Sequence, residues 1–245
     1  MRLQDKVVIV TGAASGIGRA TAAYCQEEGA KLVLADLASA NLSELSCLGG
    51  PREPASVVPA DVTRAADCQA VADAALQRWG RIDALINCAG ILQGAFLPID
   101  ELDEATFQRV IAVNLTGSFL MAKAVVPAMR QAGRGVIVLI ASGAGVRGGS
   151  SSLAYGSSKG GVHGLAMVLE PQLAPHGIRV NDVCPGSLDT PLKRQNVVDG
   201  ALAHGQDPTT ALAHAKLGDP RGVARVLGFV ASDDADYVRG SVFTR

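Results

Sequence analysis

The chain has 245 residues, of which 48% are hydrophobic and 18% charged, so it can bury a sizeable core and is not intrinsically disordered. Its formal net charge of −1 and the absence of a basic run argue against nucleic acid or an anionic membrane as partner. Apolar runs break short of the ~20 residues that span a bilayer, and no signal-peptide pattern is visible. The five cysteines lack C-x-x-C spacing, which favours free thiols in a reducing cytoplasm, and the four histidines form no metal-ligand pattern.

The first predicted strand covers residues 7–10, a β-branched run typical of a strand buried on both faces. Gly12, Gly16 and Gly18 follow it, and a helical pattern begins at Arg19. A glycine-rich turn between a strand and a helix brings backbone N–H groups and the positive helix end up to a phosphate. The turn therefore predicts a nucleotide site, with an ordinary strand-turn-helix corner as the alternative.

Strands and helices then alternate along the chain. Further strands are predicted over residues 31–36, 56–61, 84–87, 136–140, 178–183 and 241–243. Helices are predicted over residues 20–28, 40–47 (stopping at 49–51), 64–79, 106–129, 153–173 and 221–231, with a blurred pattern after residue 191. This alternation predicts one α/β domain over residues 1–245, a Rossmann-type doubly wound parallel sheet with helices on both faces.

Asp36 ends the second predicted strand, 20 residues after Gly16. A carboxylate at this place accepts hydrogen bonds from the hydroxyls of an adenosine ribose and repels a 2′-phosphate. The turn residues 13–15 are neutral and Leu37 follows the carboxylate, so nothing here attracts that phosphate. These charges predict NAD rather than NADP, and the alternative for Asp36 is a solvated carboxylate at a strand end.

Several separate motifs occur in one order, and together they resemble those of the short-chain dehydrogenase/reductase family from about residue 6 to residue 240. The motifs are Thr11-Gly12 with Gly16-Ile17-Gly18, Asp61-Val62, Asn87-Cys88-Ala89-Gly90, Asn114, Ser142, Tyr155 with Lys159 as Y-x-x-x-K, and Pro185-Gly186 before Thr190. The resemblance implies an NAD-dependent oxidoreductase that interconverts a secondary alcohol and a ketone by hydride transfer. The alcohol or ketone itself and the physiological direction are not indicated.

The resemblance implies four catalytic residues. Tyr155 and Lys159 are i,i+4 on a predicted helix and share one face. A free phenol has a pKa near 10, and the Lys159 ammonium together with oxidised nicotinamide would favour the phenolate. Tyr155 would then act as general acid/base, while Ser142 orients the substrate oxygen. Asn114 would bend its helix and hold a water next to Lys159, the alternative being an amide satisfied within its own helix.

The resemblance also implies a set of cofactor-binding residues. Asp61 would meet the adenine amine, and Thr190 the nicotinamide carboxamide. The full set is Gly12, Ser15, Gly16, Ile17, Gly18, Asp36, Leu37, Asp61, Val62, Asn87, Ala89, Gly90, Tyr155, Lys159, Pro185, Gly186, Leu188 and Thr190.

Three positions depart from the family pattern. Cys88 stands where a second Asn is usual, and we expect it to be a small packing residue rather than a nucleophile. Pro171 stands where related acyl-carrier-protein reductases tend to have Arg, and we expect it to kink its helix near the end. The chain given ends at Arg245, before the Asp-Gly-Gly-type tail of many members.

A homotetramer is predicted from the family and from two helices that are apolar on more than one face, over residues 106–129 and 153–173. A dimer is the alternative, because the tail that many members carry is missing after Arg245 and the second interface would be weaker without it. A substrate lid is expected around residues 188–216, with His204 and His214 exposed to solvent, while His163 packs within its helix.

Two other functions stay open. One is an NADPH-preferring 3-ketoacyl reductase, which Asp36 and Pro171 disfavour. The other is a non-catalytic dinucleotide-binding scaffold, which the complete Ser-Tyr-Lys set disfavours.

Overall fold

A computed structural model describes residues 1–48 and 54–244 of the chain. These residues form seven strands: β1 (Val7–Thr11), β2 (Lys31–Asp36), β3 (Ser56–Pro59), β4 (Ala84–Asn87), β5 (Gly135–Ile140), β6 (Ile178–Cys184) and β7 (Gly240–Phe243). Neighbouring strands are parallel, in the order β3-β2-β1-β4-β5-β6-β7. The strand order reverses next to β1, and open α/β sheets bind ligands at the carboxyl ends of the strands at such a point.

Helices connect the strands. They are α1 (Gly16–Glu27), α2 (Ala65–Trp79), α3 (Glu104–Ile111), α4 (Gly117–Ala132), α5 (Gly143–Val146), α6 (Leu153–Leu173), α7 (Pro191–Ala203), α8 (Pro208–His214) and α9 (Pro220–Val230). The predicted fold class is confirmed. The predicted helix over residues 40–47 is a 3₁₀ turn at Leu45–Leu48 instead, and its predicted stop at residues 49–51 lies outside the described residues.

Each face of the sheet carries its own hydrophobic core. Successive residues of a strand point to opposite faces. Val7 and Ile9 of β1 therefore pack in the core formed with α2 and α4, whereas Val8 and Val10 pack in the core formed with α1 and α9. Because every residue of β1 is buried, this strand fixes the glycine-rich turn that follows it.

The single helix predicted over residues 106–129 is interrupted. A π-helical turn over Ala112–Thr116 separates α3 from α4, and Asn114 lies within it. The Asn114 amide is not satisfied inside its own helix: its Nδ2 donates to the Ile91 carbonyl at 2.9 Å, and its Oδ1 accepts from the Ile91 N–H at 2.8 Å. The expected bend at Asn114 therefore takes the form of a π turn, a feature frequent at functional sites.

Residues 104–132 are together long and apolar enough to span a membrane by length and composition, so the prediction that apolar segments are too short was wrong. In the structure this stretch packs on the sheet and buries Met121, Val125 and Met129. Core helices of globular proteins pass the same test, so one such helix is weak evidence for a membrane span.

Helix α6 has the predicted bounds and continues through Pro171. Proline has no N–H group, so the Met167 carbonyl lacks its helical partner, and the helix ends two residues after Pro171. A 3₁₀ turn at Ala174–His176 follows. The proline thus lies in the last turn of the helix and does not break it earlier.

A buried carboxylate ties α6 to the last two strands. Asp182 of β6 accepts a hydrogen bond from the Ser241 hydroxyl of β7 at 2.7 Å, and its other oxygen lies 3.2 Å from Nδ1 of His163 on α6. His163 is thus a packed helix residue, as predicted.

Helices α7 and α8 lie where the sequence pattern blurs. Thr190 caps α7 by accepting a hydrogen bond from the Lys193 N–H at 3.2 Å, and Asp207 caps α8 by accepting from the Thr210 N–H at 2.8 Å. A proline follows each cap at the first helical position. This N-cap and proline signal is present in the sequence, but the search for apolar periodicity overlooked it.

Candidate active site

The glycine-rich turn is packed too tightly for side chains. Gly12 has a φ of +63°, and a Cβ there would lie 2.8 Å from the Ala89 nitrogen. A Cβ on Gly18 would lie 2.0 Å from the Gly12 carbonyl oxygen, so its absence lets α1 pack directly against the end of β1. Both positions agree with the roles expected of a tight turn and a close helix–strand contact.

The first turn of α1 has backbone donors to offer a ligand. Ser15 is the N-cap residue, and its side chain makes no capping hydrogen bond. The first N–H groups of a helix have no partner within it, and the helix dipole favours an anion at this end. The turn opens onto a cleft of about 500 Å³. These features fit the pyrophosphate of a dinucleotide.

Most of the predicted cofactor residues line this cleft, which we call the dinucleotide cleft. They are Gly12, Ser15, Gly16, Ile17, Gly18, Asp36, Leu37, Asp61, Val62, Ala89, Gly90, Tyr155, Lys159 and Thr190.

Asp36 is held at one end of the cleft by backbone hydrogen bonds. Its carboxylate accepts from the Ala14 N–H and from the Leu37 N–H, each at 2.8 Å. Each carboxylate oxygen keeps a further acceptor position. The cations lining the described cleft are Lys159 and Arg109, and Arg109 is close enough to Asp61 to stabilise its charge. The Asp36 end therefore presents a fixed negative charge.

Asp61 lies at the carboxyl end of β3. Its Oδ1 accepts hydrogen bonds from the Thr63 N–H at 2.9 Å and from the Thr63 hydroxyl at 2.7 Å. These bonds lower the pKa of Asp61, and the charge of Arg109 adds to the effect. Asp61 is therefore a fixed, ionised acceptor at neutral pH, as an interaction with an adenine amine requires.

Asn87 does not line the dinucleotide cleft. Its side chain is buried between elements: Oδ1 accepts from the Thr11 hydroxyl at 2.7 Å, and Nδ2 donates to the Ser118 oxygen at 2.9 Å. Ser118 in turn donates to the Asn114 carbonyl at 2.6 Å. Asn87 thus links β1, β4 and α4, and it positions the cleft wall rather than forming it.

Cys88 behaves as a packing residue, in agreement with the sequence prediction. Burial raises the pKa of its thiol to about 12, against a weaker lowering effect of the Lys159 charge. A thiol that stays protonated at neutral pH is a poor nucleophile. Beside it, a Cβ on Gly90 would lie 3.4 Å from Nζ of Lys159, so this glycine leaves room next to the ammonium.

The four predicted catalytic residues come together at the carboxyl ends of β4 and β5. Ser142 follows β5 and caps α5 by accepting a hydrogen bond from the Ala144 N–H at 3.2 Å. Its hydroxyl also lies near enough to the phenol of Tyr155 to affect the pKa of that phenol. Lys159 is buried one turn along α6, where its Nζ donates to the Ile140 carbonyl at 2.7 Å.

Asn114 joins this group through α6. Its Nδ2 donates to Ser158 Oγ at 2.9 Å, and Ser158 donates to the Tyr155 carbonyl at 2.8 Å. The π turn is thereby fixed to the first turn of the helix that carries Tyr155 and Lys159. The amide therefore positions α6 as well as the loop after β4.

Burial has the largest effect on the pKa values of Tyr155 and Lys159, which we call the central pair. It raises the pKa of Tyr155, while the nearby Ser142 hydroxyl acts in the opposite direction. Burial also lowers the pKa of Lys159 to about 8. The sequence analysis expected the Lys159 ammonium to lower the pKa of the Tyr155 phenol. Without bound cofactor, burial has the larger effect and raises that pKa. At neutral pH the phenol is protonated.

A second cavity of about 420 Å³ lies on the other side of Tyr155. Its wall contains Ser142 and Tyr155, together with apolar side chains that include Leu92, Phe96 and Leu192. Tyr155 lines this cavity and the dinucleotide cleft. Its hydroxyl-bearing ring therefore stands between a cofactor-sized and a substrate-sized space.

Three residues predicted to bind the cofactor line the second cavity and not the cleft: Pro185, Gly186 and Leu188. The reason lies in the path of the chain after β6. Leu188 bridges to Gly218 and is buried in the core, which holds this segment on the Ser142 side. Thr190 lines both spaces.

The sequence analysis missed several residues of both walls. They are Thr63, Ile91, Gln108, Arg109, Ala112 and Val113 in the cleft, and Leu92, Phe96, Ser150, Ser151, Lys193 and Asn196 in the second cavity. They lie on loops and helix faces that meet only in the folded chain. The i,i+3 spacing of Lys193 and Asn196 on α7 is the one local signal among the second-cavity residues.

Helices α7 and α8 occupy the region where a lid was expected. His204 and His214 are exposed there, as predicted. The His204 ring lies edge-on to Phe96, with ring centres 5.7 Å apart, and its Nδ1 lies 2.6 Å from the Gly200 carbonyl oxygen. His204 thus touches the second cavity only through Phe96.

Comparison with known proteins decides the family. The family model described as short chain dehydrogenase matches residues 6–199. The chain belongs to the short-chain dehydrogenase/reductase family. As a member of the short-chain dehydrogenases/reductases it is an oxidoreductase, and the family uses a nicotinamide dinucleotide cofactor.

The similarity extends over whole chains. The 3-oxoacyl-[acyl-carrier-protein] reductase FabG of Thermotoga maritima is 37% identical over 99% of this short-chain dehydrogenase/reductase and 96% of its own length. The cis-4-hydroxycyclohexanecarboxylate dehydrogenase of Sinomonas cyclohexanicum is 38% identical over 97% and 94%. The crystal structure of levodione reductase superposes with a TM-score of 0.90 at 34% identity, covering 99% of this chain and 96% of that one.

Proposed function

We propose that the protein is an NAD-dependent enzyme that interconverts a secondary alcohol and a ketone, with Tyr155 as general acid/base. The observation that carries this proposal is the position of the Tyr155 ring between the dinucleotide cleft and the second cavity, with Ser142 in the wall of the same cavity. A bound nicotinamide dinucleotide supplies the hydride acceptor or donor. The residues of the chain have to orient the substrate oxygen and move its proton.

The protonated phenol of Tyr155 is ready to donate in the direction of ketone reduction. Ser142 donates to the carbonyl oxygen of the substrate and holds it within reach of that proton. In alcohol oxidation the same phenol has to be ionised first, and then accepts the hydroxyl proton. The buried Lys159 favours that ionised state whenever its ammonium is charged, since opposite charges at close range stabilise each other.

Cofactor residues follow from the cleft lining. The turn from Gly12 to Gly18 would hold the pyrophosphate, Asp36 the adenosine ribose and Asp61 the adenine. Lys159 would hold the nicotinamide ribose in addition to its role at Tyr155. Residues 188–216 would cover the substrate, since Leu188 and Leu192 already line the second cavity. The four cysteines with described side chains are free, which fits the cytoplasm as location.

We expect NAD to be preferred over NADP, with a kcat/KM ratio of at least about tenfold, because the Asp36 carboxylate would lie against a 2′-phosphate. Initial rates with NAD and NADP on a panel of secondary alcohols, and with the reduced cofactors on the matching ketones, measure this ratio and test the proposed function. Asp36→Ala should narrow the gap, chiefly by improving KM for NADP.

Asp5→Ala serves as the matched control, since it removes an exposed carboxylate that does not line the cleft. A preference for NADP in the wild type would overturn the charge argument and favour the ketoacyl-reductase alternative, which the FabG relative supports. Absence of turnover with either cofactor over the whole panel would favour a dinucleotide-binding scaffold. The complete set of Ser142, Tyr155 and Lys159 around the two spaces speaks against a scaffold, because such a protein has no need of them.

We also propose a homotetramer built on the outer faces of α4 and α6. These faces expose Phe119, Met167 and Val168 in the single chain, with Met167 and Val168 more than half exposed. Apolar side chains on such faces are usually covered by another subunit, most simply across a two-fold axis.

Light scattering should give four times the 25.1 kDa chain mass. Val168→Asp is expected to reduce the assembly, because it would bury a charge in the interface, whereas Val168→Thr keeps the side-chain shape and should leave the mass unchanged. A wild-type mass equal to one chain contradicts the assembly, and twice that mass leaves a single interface.

A further inference from the structure

Lys193 is the charged side chain in the wall of the second cavity. Among the described residues that line this cavity there is no aspartate, glutamate or arginine. Lys193 lies on the first turns of α7 and is half-buried. It lines the second cavity and not the dinucleotide cleft, so its positive charge faces the space proposed for the substrate.

The ammonium has neutral hydrogen-bond partners only. Its Nζ donates to Oδ1 of Asn196 at 3.3 Å, and Nδ2 of Asn196 donates to the Ser151 hydroxyl at 2.8 Å. Within the described part of the chain, Lys193 makes no ion pair within 4.0 Å; the nearest carboxylate in sequence, Asp189, is paired with Arg194. An ammonium has three donors, so two remain for a ligand.

The surroundings hold this cation in place. Asn196 is buried, and its bond to Ser151 joins α7 to the loop before α6. The rest of the wall is uncharged and combines serine hydroxyls with apolar side chains that include Leu92 and Phe96. A cation at a neutral and partly apolar wall attracts an anion more strongly than one on an open surface, because screening by water is weaker there.

We propose that Lys193 binds a carboxylate of the substrate, so that the enzyme acts on oxo acids and their hydroxy acids. This inference rests on the proposed function, since it places the reacting carbonyl at Ser142 and Tyr155 and the acid group at the α7 wall. The Lys193–Asn196–Ser151 chain fixes the cation, and the apolar wall accommodates the carbons between the two groups.

Reduction of 4-oxopentanoate, 5-oxohexanoate and 6-oxoheptanoate, each beside its methyl ester, tests the proposal. The wild type is expected to prefer at least one acid over its ester by about tenfold or more in kcat/KM, the usual effect of a hydrogen bond to a charged group. Lys193→Met should lower this acid-to-ester ratio by about the same factor through KM. Lys193→Arg should keep most of it, and added salt should reduce it in the wild type.

Lys216→Met is the matched control, because it removes an exposed lysine that follows α8 and does not line either space. It should leave the ratio unchanged. Equal rates for acids and esters in the wild type, or the same ratio in wild type and Lys193→Met, would overturn the proposal.

Failure of the proposed function is separable from failure of this inference. If no ketone is reduced with either cofactor, calorimetric titration of hexanoate still measures carboxylate binding without turnover. About tenfold weaker binding to Lys193→Met than to wild type supports the carboxylate site. Equal binding, or none to the wild type at millimolar concentration, contradicts it.

Discussion

Tyr155→Phe is expected to lower kcat by about 10²–10⁴-fold, the usual contribution of a general acid/base. The variant keeps the ring between the two cavities and loses only the hydroxyl. Binding of the reduced cofactor, measured by fluorescence titration, should therefore change little. Ser142→Ala is the companion variant, since it removes the substrate-orienting hydroxyl and leaves the phenol.

The pH profile of the wild type tests the same group. Burial raises the pKa of Tyr155, and alcohol oxidation requires the ionised phenol whereas ketone reduction requires the neutral one. The rate of oxidation should therefore rise through the alkaline range, and that of reduction should fall there. Tyr155→Phe retaining more than about a tenth of wild-type kcat would assign the proton transfer to another group. An oxidation rate that does not change with pH would lead to the same conclusion, provided that a deuterated alcohol is oxidised more slowly and the hydride step therefore limits the rate.

Lys159→Met is expected to lower kcat/KM by about 10²-fold or more and to weaken cofactor binding, because one ammonium serves both. The variant also has a measurable effect on stability. Burial lowers the pKa of Lys159 from 10.5 to about 8, so in this interval the unfolded state binds the proton that the folded state has released. The free energy of unfolding of the wild type should therefore rise with pH across this window, relative to the variant.

Between pH 7 and pH 9.5 the free energy of unfolding of the wild type should rise by about 2 kcal/mol more than that of Lys159→Met. Urea unfolding of both proteins at several pH values measures it, and the other titrating groups cancel in the difference. Lys123→Met is the control, since it makes the same substitution at an exposed lysine. A difference between wild type and Lys159→Met that does not change with pH would mean that the ammonium is not buried in the folded state.

The sequence was sufficient for the sheet and the glycine-rich turn, because both depend on local signals. Buried parallel strands are short apolar runs, and Gly12 and Gly18 are required by contacts within one strand-turn-helix unit. The Y-x-x-x-K spacing likewise placed Tyr155 and Lys159 on one helix face.

The remainder depends on contacts between distant segments. Asn87 is predicted from its place next to Ala89 and Gly90, but its amide also bonds to Thr11 and Ser118 of other elements, which the local sequence does not reveal. The π turn at Asn114 is set by the backbone of Ile91, which no helical periodicity reveals. The charges of the central pair are likewise decided by burial, which spacing alone does not report.

The two walls of the second cavity belong to different parts of the chain. Ser142 and Tyr155 are fixed to the sheet and to α6, whereas Leu192, Lys193 and Asn196 belong to α7, and Asn196 bonds to Ser151 of the loop before α6. Mutations accumulating in residues 191–214 can therefore alter which molecules are accepted without displacing the proton-transfer groups. Natural selection, or exchange of this segment in the laboratory, can therefore change the substrate of this enzyme through residues 191–214.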